Sequence, residues 1–392
     1  MDLDELLSLG VGRGSSDVHL KPNSHPILRI HGGLELQQDW PFITQEYMLE
    51  VAKRLLKPNR LTALLEEGSE IDLAHTVKGA GRFRVNLFLA KGEIHGSFRA
   101  IPDKIPVFED LNLPKVLEKL AMERRGMIIV TGVTGSGKTT SLAAMVDYMN
   151  RYRNDHIITI EDPIEFVHED KTCIVSQREI GQDSPNFTQA LRAALRQDPD
   201  VILLGEMRDP ETMAVALHAA ETGHLVLSTL HTLNAAETIN RLIGTFPPHQ
   251  EDQIRAQLSG VMAGIVSQRL VVKAGGKGRV PAVEVMMGTG IIRESIRDAE
   301  KTPQIPAIIA AGQAQYGMQT FDQSLLALYR DDKISLETAL EAATNPDDFA
   351  LKVRGIFSAA EMTWEVGTEE QGKPGPHTIP GAGGTTFFKK EK

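Results

Sequence analysis

The segment Gly132-Val133-Thr134-Gly135-Ser136-Gly137-Lys138-Thr139 has the spacing G-x-x-x-x-G-K-[ST], that of a phosphate-cradling loop. Its glycines let backbone N–H groups converge on phosphate oxygens, and the helix beginning there adds the positive end of its dipole. Lys138 is spaced to reach the β- and γ-phosphates of a nucleotide, and the Thr139 hydroxyl to bind Mg²⁺. Thr134, Ser136 and Thr140 line or adjoin the same turn. An apolar run at 128–130 precedes the motif and a helical pattern follows it. That strand–loop–helix context makes the segment an ATP site and not a chance glycine-rich turn.

A cradle alone only binds nucleotide, and turnover requires carboxylates at the ends of neighbouring strands. The apolar run 157–160 is followed by Glu161-Asp162-Pro163-Ile164-Glu165, and the run 201–204 leads through Gly205 to Glu206. In an open α/β sheet ligands bind beyond the carboxyl ends of the strands, so both clusters point towards the loop. One carboxylate orients or deprotonates the attacking water, and another holds Mg²⁺ or its waters. The residues alone leave the division of those roles open.

His224 and His231 bracket the run 225–230. At about 3.3 Å per residue of strand the two rings lie roughly 20 Å apart, so they cannot share one phosphate. His231, at the carboxyl end, is the one placed to report the γ-phosphate, and His224 suits packing or a subunit interface. Arg82, Arg84 and Arg99 fall on one face of a hairpin in the amino-terminal region. They form either a solvated strand face or a cationic surface completing a neighbouring subunit's phosphate site.

The elements that must position these groups are legible in outline. Residues 1–100 read as a small α+β domain: an opening helix, short strands at 17–21 and 27–31, and a helical stretch at 45–67 with Val51, Leu55, Leu61, Leu64 and Leu65 apolar. A hairpin closes that domain, with Phe83, Val85, Leu87 and Leu89 alternating before a Lys91-Gly92 turn. Residues 101–114, with three prolines, form the expected linker. From 115 to 357 apolar runs alternate with helical patterns, which predicts an α/β domain with a parallel sheet covered on both faces. Asn186, Asp209, Asn234 and Thr320 mark helix starts. Helices are expected at 290–300, 321–331 and 336–343. On the first of these Ile292 and Ile296 form an apolar stripe, with Arg293 and Arg297 presented beside it to a partner. The tail 358–392, rich in Gly, Pro and charge from about 367, predicts disorder.

Composition removes several classes. Net charge is -10, against long nucleic-acid tracts as partners, and a nucleic-acid translocase is the weaker alternative on that ground. A single cysteine, Cys173, excludes intrachain disulfides and cysteine-based zinc sites and suits the cytosol. No run of apolar residues is long enough to span a membrane, and the acidic N-terminus does not read as a signal peptide.

The stretches Gly-Ser-Ser-Asp-Val-His-Leu at 14–20, the loop at 132–139, TIEDPIEF at 159–166, RQDPDVILLGEMRDPET at 196–212 and ETGHLVLSTLHT at 221–232 resemble the type IV pilus retraction ATPases. The resemblance runs from about residue 4 to 355. It implies a PAS-like amino-terminal domain, a RecA-like ATPase domain and a homo-hexameric ring with nucleotide between the two domains. It further implies a cytoplasmic, Mg-ATP-hydrolysing motor that acts peripherally at the inner membrane on a pilus platform protein. By motif, Glu165 matches the catalytic glutamate, Glu206 the Walker B glutamate, and His224 and His231 the histidine box. Arg82, Arg84 and Arg99 match arginines that face the nucleotide. The four-cysteine zinc module of extension relatives is excluded. Ser295 stands where the retraction family has an apolar residue, which leaves a secondary paralogue as an alternative to the principal motor.

Overall fold

A computed structural model describes residues 2–101 and 104–355, so the tail expected to be disordered lies outside the described residues. The amino-terminal part forms a six-stranded antiparallel sheet in the order β3-β2-β1-β6-β5-β4. Its strands are β1 (Asp17–Leu20), β2 (Ile27–Ile30), β3 (Gly33–Leu36), β4 (Ile71–Val77), β5 (Gly81–Ala90) and β6 (Glu93–Ile101). The β5–β6 hairpin turns through Lys91 and Gly92, both at positive φ (55° and 78°). Two such residues match the turn to the twist of the strands. Helices α1 (Leu3–Gly12), α2 (Gln45–Leu55) and α3 (Pro58–Glu66) accompany this sheet. The single helical stretch expected at 45–67 is therefore two helices. Pro58 lacks an N–H and stiffens the residue before it into an extended conformation, so a new helix starts there. Leu65, one of the apolar positions of that stretch, is exposed.

The second sheet has seven strands in the order β13-β12-β7-β11-β10-β8-β9. They are β7 (Gly126–Thr131), β8 (His156–Glu161), β9 (Ile174–Glu179), β10 (Val201–Leu204), β11 (Leu225–Leu230), β12 (Met262–Val272) and β13 (Arg279–Met287). All pairings are parallel except β12 with β13. Alternate residues feed opposite faces. Met127, Ile129, Ile158, Ile160, Ile202 and Leu204 enter one core, while Ile128, Val130, Ile157, Val201, Leu203 and Leu227 enter the other. Helices α4 (Val116–Ala121) and α5 (Lys138–Tyr152) cover the second face. The first is covered by α6 (Phe187–Ala194), α7 (Pro210–Glu221), α8 (Ala235–Ile243), α9 (Glu251–Val261) and α10 (Gly290–Arg297).

Asn186, Asp209, Asn234 and Thr320 all cap helices, and Thr320 with Gln323 makes both halves of a capping box. The segment after residue 104 is not wholly a free linker, because Phe108 and Leu113 are buried in a core of the second sheet. On α10 the expectation is corrected for one of two cations. Arg297 is exposed, but Arg293 is spent on the protein itself, donating to the carbonyls of Gly288 (2.9 Å), Ser259 (3.3 Å) and Gly260. Ile292 and Ile296 are fully buried beneath it.

Candidate active site

The site forms where β7, β8, β10 and β11 end. Gly132 leaves β7 at φ 142°, and a Cβ there would sit 2.4 Å from the Gln268 carbonyl of β12. Gly135 and Gly137 are at φ 77° and 91°, and Gly137 is the left-handed residue from which α5 starts. No side chain suits these three positions, which is how the loop wraps closely enough to cup an anion. Lys138, the first residue of α5, is buried and donates to the carbonyls of Gly132 (2.8 Å) and Val133 (3.1 Å). Burial holds its pKa below the usual lysine value, opposed by the Glu206 and Glu165 carboxylates.

Above the loop lies a cleft of about 650 Å³, a size ordinary for a small-ligand site. Thr134, Gly135, Gly137, Lys138, Thr139 and Thr140 form its floor. Glu161, Glu165, Glu206 and His231 close one side, and Arg84 and Arg99 of the amino-terminal sheet reach it across the domain boundary. Of the loop's residues Gly132 and Ser136 stand behind this floor, Ser136 with a buried hydroxyl that has no protein partner.

Each carboxylate has its own setting. Glu206 follows β10 through Gly205, whose N–H donates to the Ile160 carbonyl at 2.8 Å and so ties the two strand ends together. Its Oε1 pairs with Arg208 at 2.5 Å. Glu165 accepts from Arg84 Nη1 at 3.1 Å. Glu161 accepts from Thr159 Oγ1 (2.7 Å) and Gln177 Nε2 (3.3 Å), and burial nonetheless pushes its pKa up to about 7. The His231 ring is pushed down by burial and then by Lys138, so it is neutral at physiological pH. His224 lies at the other end of β11, its Nδ1 2.8 Å from the Ala219 carbonyl, outside the cleft.

The arginines divide. Arg99 lines the cleft while donating to the buried Asp17 at 2.8 Å. Arg84 faces Glu165. Arg82 does not reach the cleft: it donates to Glu179 Oε2 (2.9 Å) and to the Ile164 carbonyl (3.1 Å). Within this chain, Arg84 and Arg99 both line the cleft at the strand ends. The linker lets the amino-terminal sheet fold back over the strand ends.

The sequence motifs single out none of Arg208, Arg279 and Thr229, although all three line the cleft, as does Glu161 of the first carboxylate cluster. Arg208 and Glu161 lay inside quoted motifs, while Arg279 opens β13 and carries no local signal. For Mg²⁺ the donors suit a hard cation: one hydroxyl at Thr139 and a carboxylate at Glu206 share the cleft. No cluster of three or more His, Cys, Asp or Glu side chains suited to a metal exists among the described residues.

A phosphate loop at the switch of a parallel sheet, with a strand-end carboxylate beside it, defines a P-loop ATPase. Residues 107–315 match the family described as Type II/IV secretion system protein, and the chain belongs to that family. It is 44% identical over 349 residues to the type IV pilus retraction ATPase PilT of Pseudomonas aeruginosa, covering 89% of this chain and 100% of the relative. The P. aeruginosa type IV pilus ATPase PilU is 39% identical, covering 90% of this chain and 92% of that one. Among solved structures, the crystal structure of the pilus retraction motor PilT with bound ADP superposes with a TM-score of 0.80 at 42% identity, covering 89% and 98% of the two chains.

Proposed function

We propose that this chain is the ATP-hydrolysing motor that retracts a type IV pilus, working as a homo-hexameric ring against a platform protein at the inner membrane. The observation that carries the chemistry is the convergence of Lys138, Glu165, Glu206, Arg84 and Arg99 on one cleft formed by both domains. In this reading the loop N–H groups and Lys138 hold the β- and γ-phosphates. Glu165 accepts the proton of the attacking water, which forms the new bond to the γ-phosphorus as the bond to ADP breaks. Thr139 and Glu206 would hold Mg²⁺, which when bound would supply positive charge against the phosphates. Neutral His231 can accept or donate a hydrogen bond at the γ-phosphate without adding charge. Arg84 now holds Glu165; an arriving γ-phosphate competes for its guanidinium and frees the carboxylate to take a proton. Because Arg84 and Arg99 belong to the other domain, phosphate entry and release pull on the domain boundary, which is how hydrolysis becomes movement.

Glu165→Gln tests the chemistry. Purified variant should bind ATP like the native protein and release no phosphate; hydrolysis at the native rate would move the base to Glu206. Deletion of the gene should leave cells that make pili and do not twitch. Cells that still retract with the gene deleted would favour the secondary-paralogue reading, to which the buried Ser295 on α10 also points.

A further inference from the structure

Outside the cleft, one buried carboxylate has more work than its strand requires. Glu179 ends β9 and is 4% exposed. Its carboxylate accepts from Arg82 Nη2 (2.9 Å) and Ala74 N–H (3.4 Å) of the amino-terminal sheet, and from Ile164 N–H (3.3 Å). Arg82 Nε in turn donates to the Ile164 carbonyl at 3.1 Å. Both polar groups of the residue immediately before Glu165 are thus gripped by one ion pair that bridges the two domains.

We propose that Arg82 and Glu179 are positioning residues: together they clamp the Ile164 backbone, fix where Glu165 stands, and make that placement depend on docking of the amino-terminal domain. The proposal rests on Glu165 being the catalytic carboxylate. Neither residue lines the cleft, so neither is placed to touch nucleotide. Arg82 and Arg84 are two apart on one strand face, about 7 Å along it, and so reach consecutive points on the same loop. With the amino-terminal domain undocked, Ile164 loses the arginine and Glu179 loses both Arg82 and the Ala74 N–H, which loosens the loop. Small displacements of a reacting group are strongly felt in turnover.

The test uses the full chain with Arg82→Met, Arg82→Lys, Glu179→Gln and the Arg82→Met/Glu179→Gln double variant. Arg82→Met and Glu179→Gln should each lower kcat about tenfold to a hundredfold with KM for ATP within about twofold. The double variant should lose no more than the worse single, as expected for two groups acting as a unit. Arg82→Lys should recover part of the loss. Hydrogen–deuterium exchange across 162–166 should quicken about tenfold or more in Arg82→Met. Native kcat in a folded Arg82→Met protein, additive losses, or a rise in KM matching the fall in kcat would each overturn the clamp. If the Met or Gln variants do not fold, Arg82→Lys decides by the same split, with native kcat and native exchange counting against it. The exchange readout separates the two layers: native hydrolysis by Glu165→Gln sinks the catalytic assignment, whereas unchanged exchange in Arg82→Met sinks the clamp whatever Glu165 does.

Discussion

Replacing Glu161 with glutamine should change how stability depends on pH. The carboxyl lies at the rim of the cleft, enclosed by Thr159, Gln177 and the loop to Glu165, and burial raises its pKa from 4.5 to about 7. Between those values the unfolded chain has released the proton while the folded one still holds it. The contribution to stability is therefore fully present below 4.5 and is lost as pH rises through about 7. About 2.5 pH units at about 1.4 kcal/mol each give roughly 3.5 kcal/mol as an upper value, and partial water contact reduces this to about 1–3 kcal/mol. Glutamine still accepts from Thr159 and Gln177 and cannot ionise. Urea unfolding of native and Glu161→Gln protein, followed by circular dichroism at pH 4.5 and pH 8, measures the difference. Relative to native, the variant should gain about 1–3 kcal/mol on going to pH 8, whatever its offset at the lower pH. An unchanged difference between the two pH values would refute the reasoning, since it would mean that Glu161 ionises as readily folded as unfolded.

Lys138→Ala removes the cation at the loop: with a charged hydrogen bond worth about 1.5–3 kcal/mol, ATP affinity should fall roughly 10- to 150-fold. Fluorescent-nucleotide titration checks this, and native affinity would take Lys138 out of the phosphate site. On α10, Arg293→Ala strips donors from three carbonyls and should cost about 1–3 kcal/mol of stability. Exposed Arg297→Ala should stay within about 0.5 kcal/mol; equal melting points for the two variants would contradict this assignment of roles.

The parts legible in the sequence were those with strong local signals. The phosphate loop announces itself because only glycine tolerates its backbone, and β7, β8, β10 and β11 do so because strands buried on both faces read as continuous apolar runs. Edge strands fared worse. In β9, Ile174-Val175-Ser176-Gln177-Arg178-Glu179 is mostly polar and lies at the sheet's margin, and it supplies both Gln177 and Glu179. Strand β12 begins at Met262 directly after α9 ends at Val261, with no turn residue between them. The separation of Arg82 from Arg84 was invisible for another reason. Period-two alternation puts both on one face, and only the path of the facing loop decides which meets a carbonyl and which the Glu165 carboxylate.

Among the described residues the apolar clusters of the two sheets stay separate: Leu3 to Phe98 pack among themselves, and the ATPase cores begin at Phe108. What joins the halves is polar, including Arg82 with Glu179, the half-exposed pair Arg84 with Glu165, and Lys57 Nζ on the Gln182 carbonyl at 2.7 Å. A greasy joint resists parting in proportion to the area torn from contact, and it offers one favoured seating. A joint of ions and carbonyls can trade partners with water one bond at a time, at about 1 kcal/mol or less for each exposed pair. The seam therefore behaves as a detent, firm enough to hold an angle and shallow enough for the charge of one phosphate to reset it.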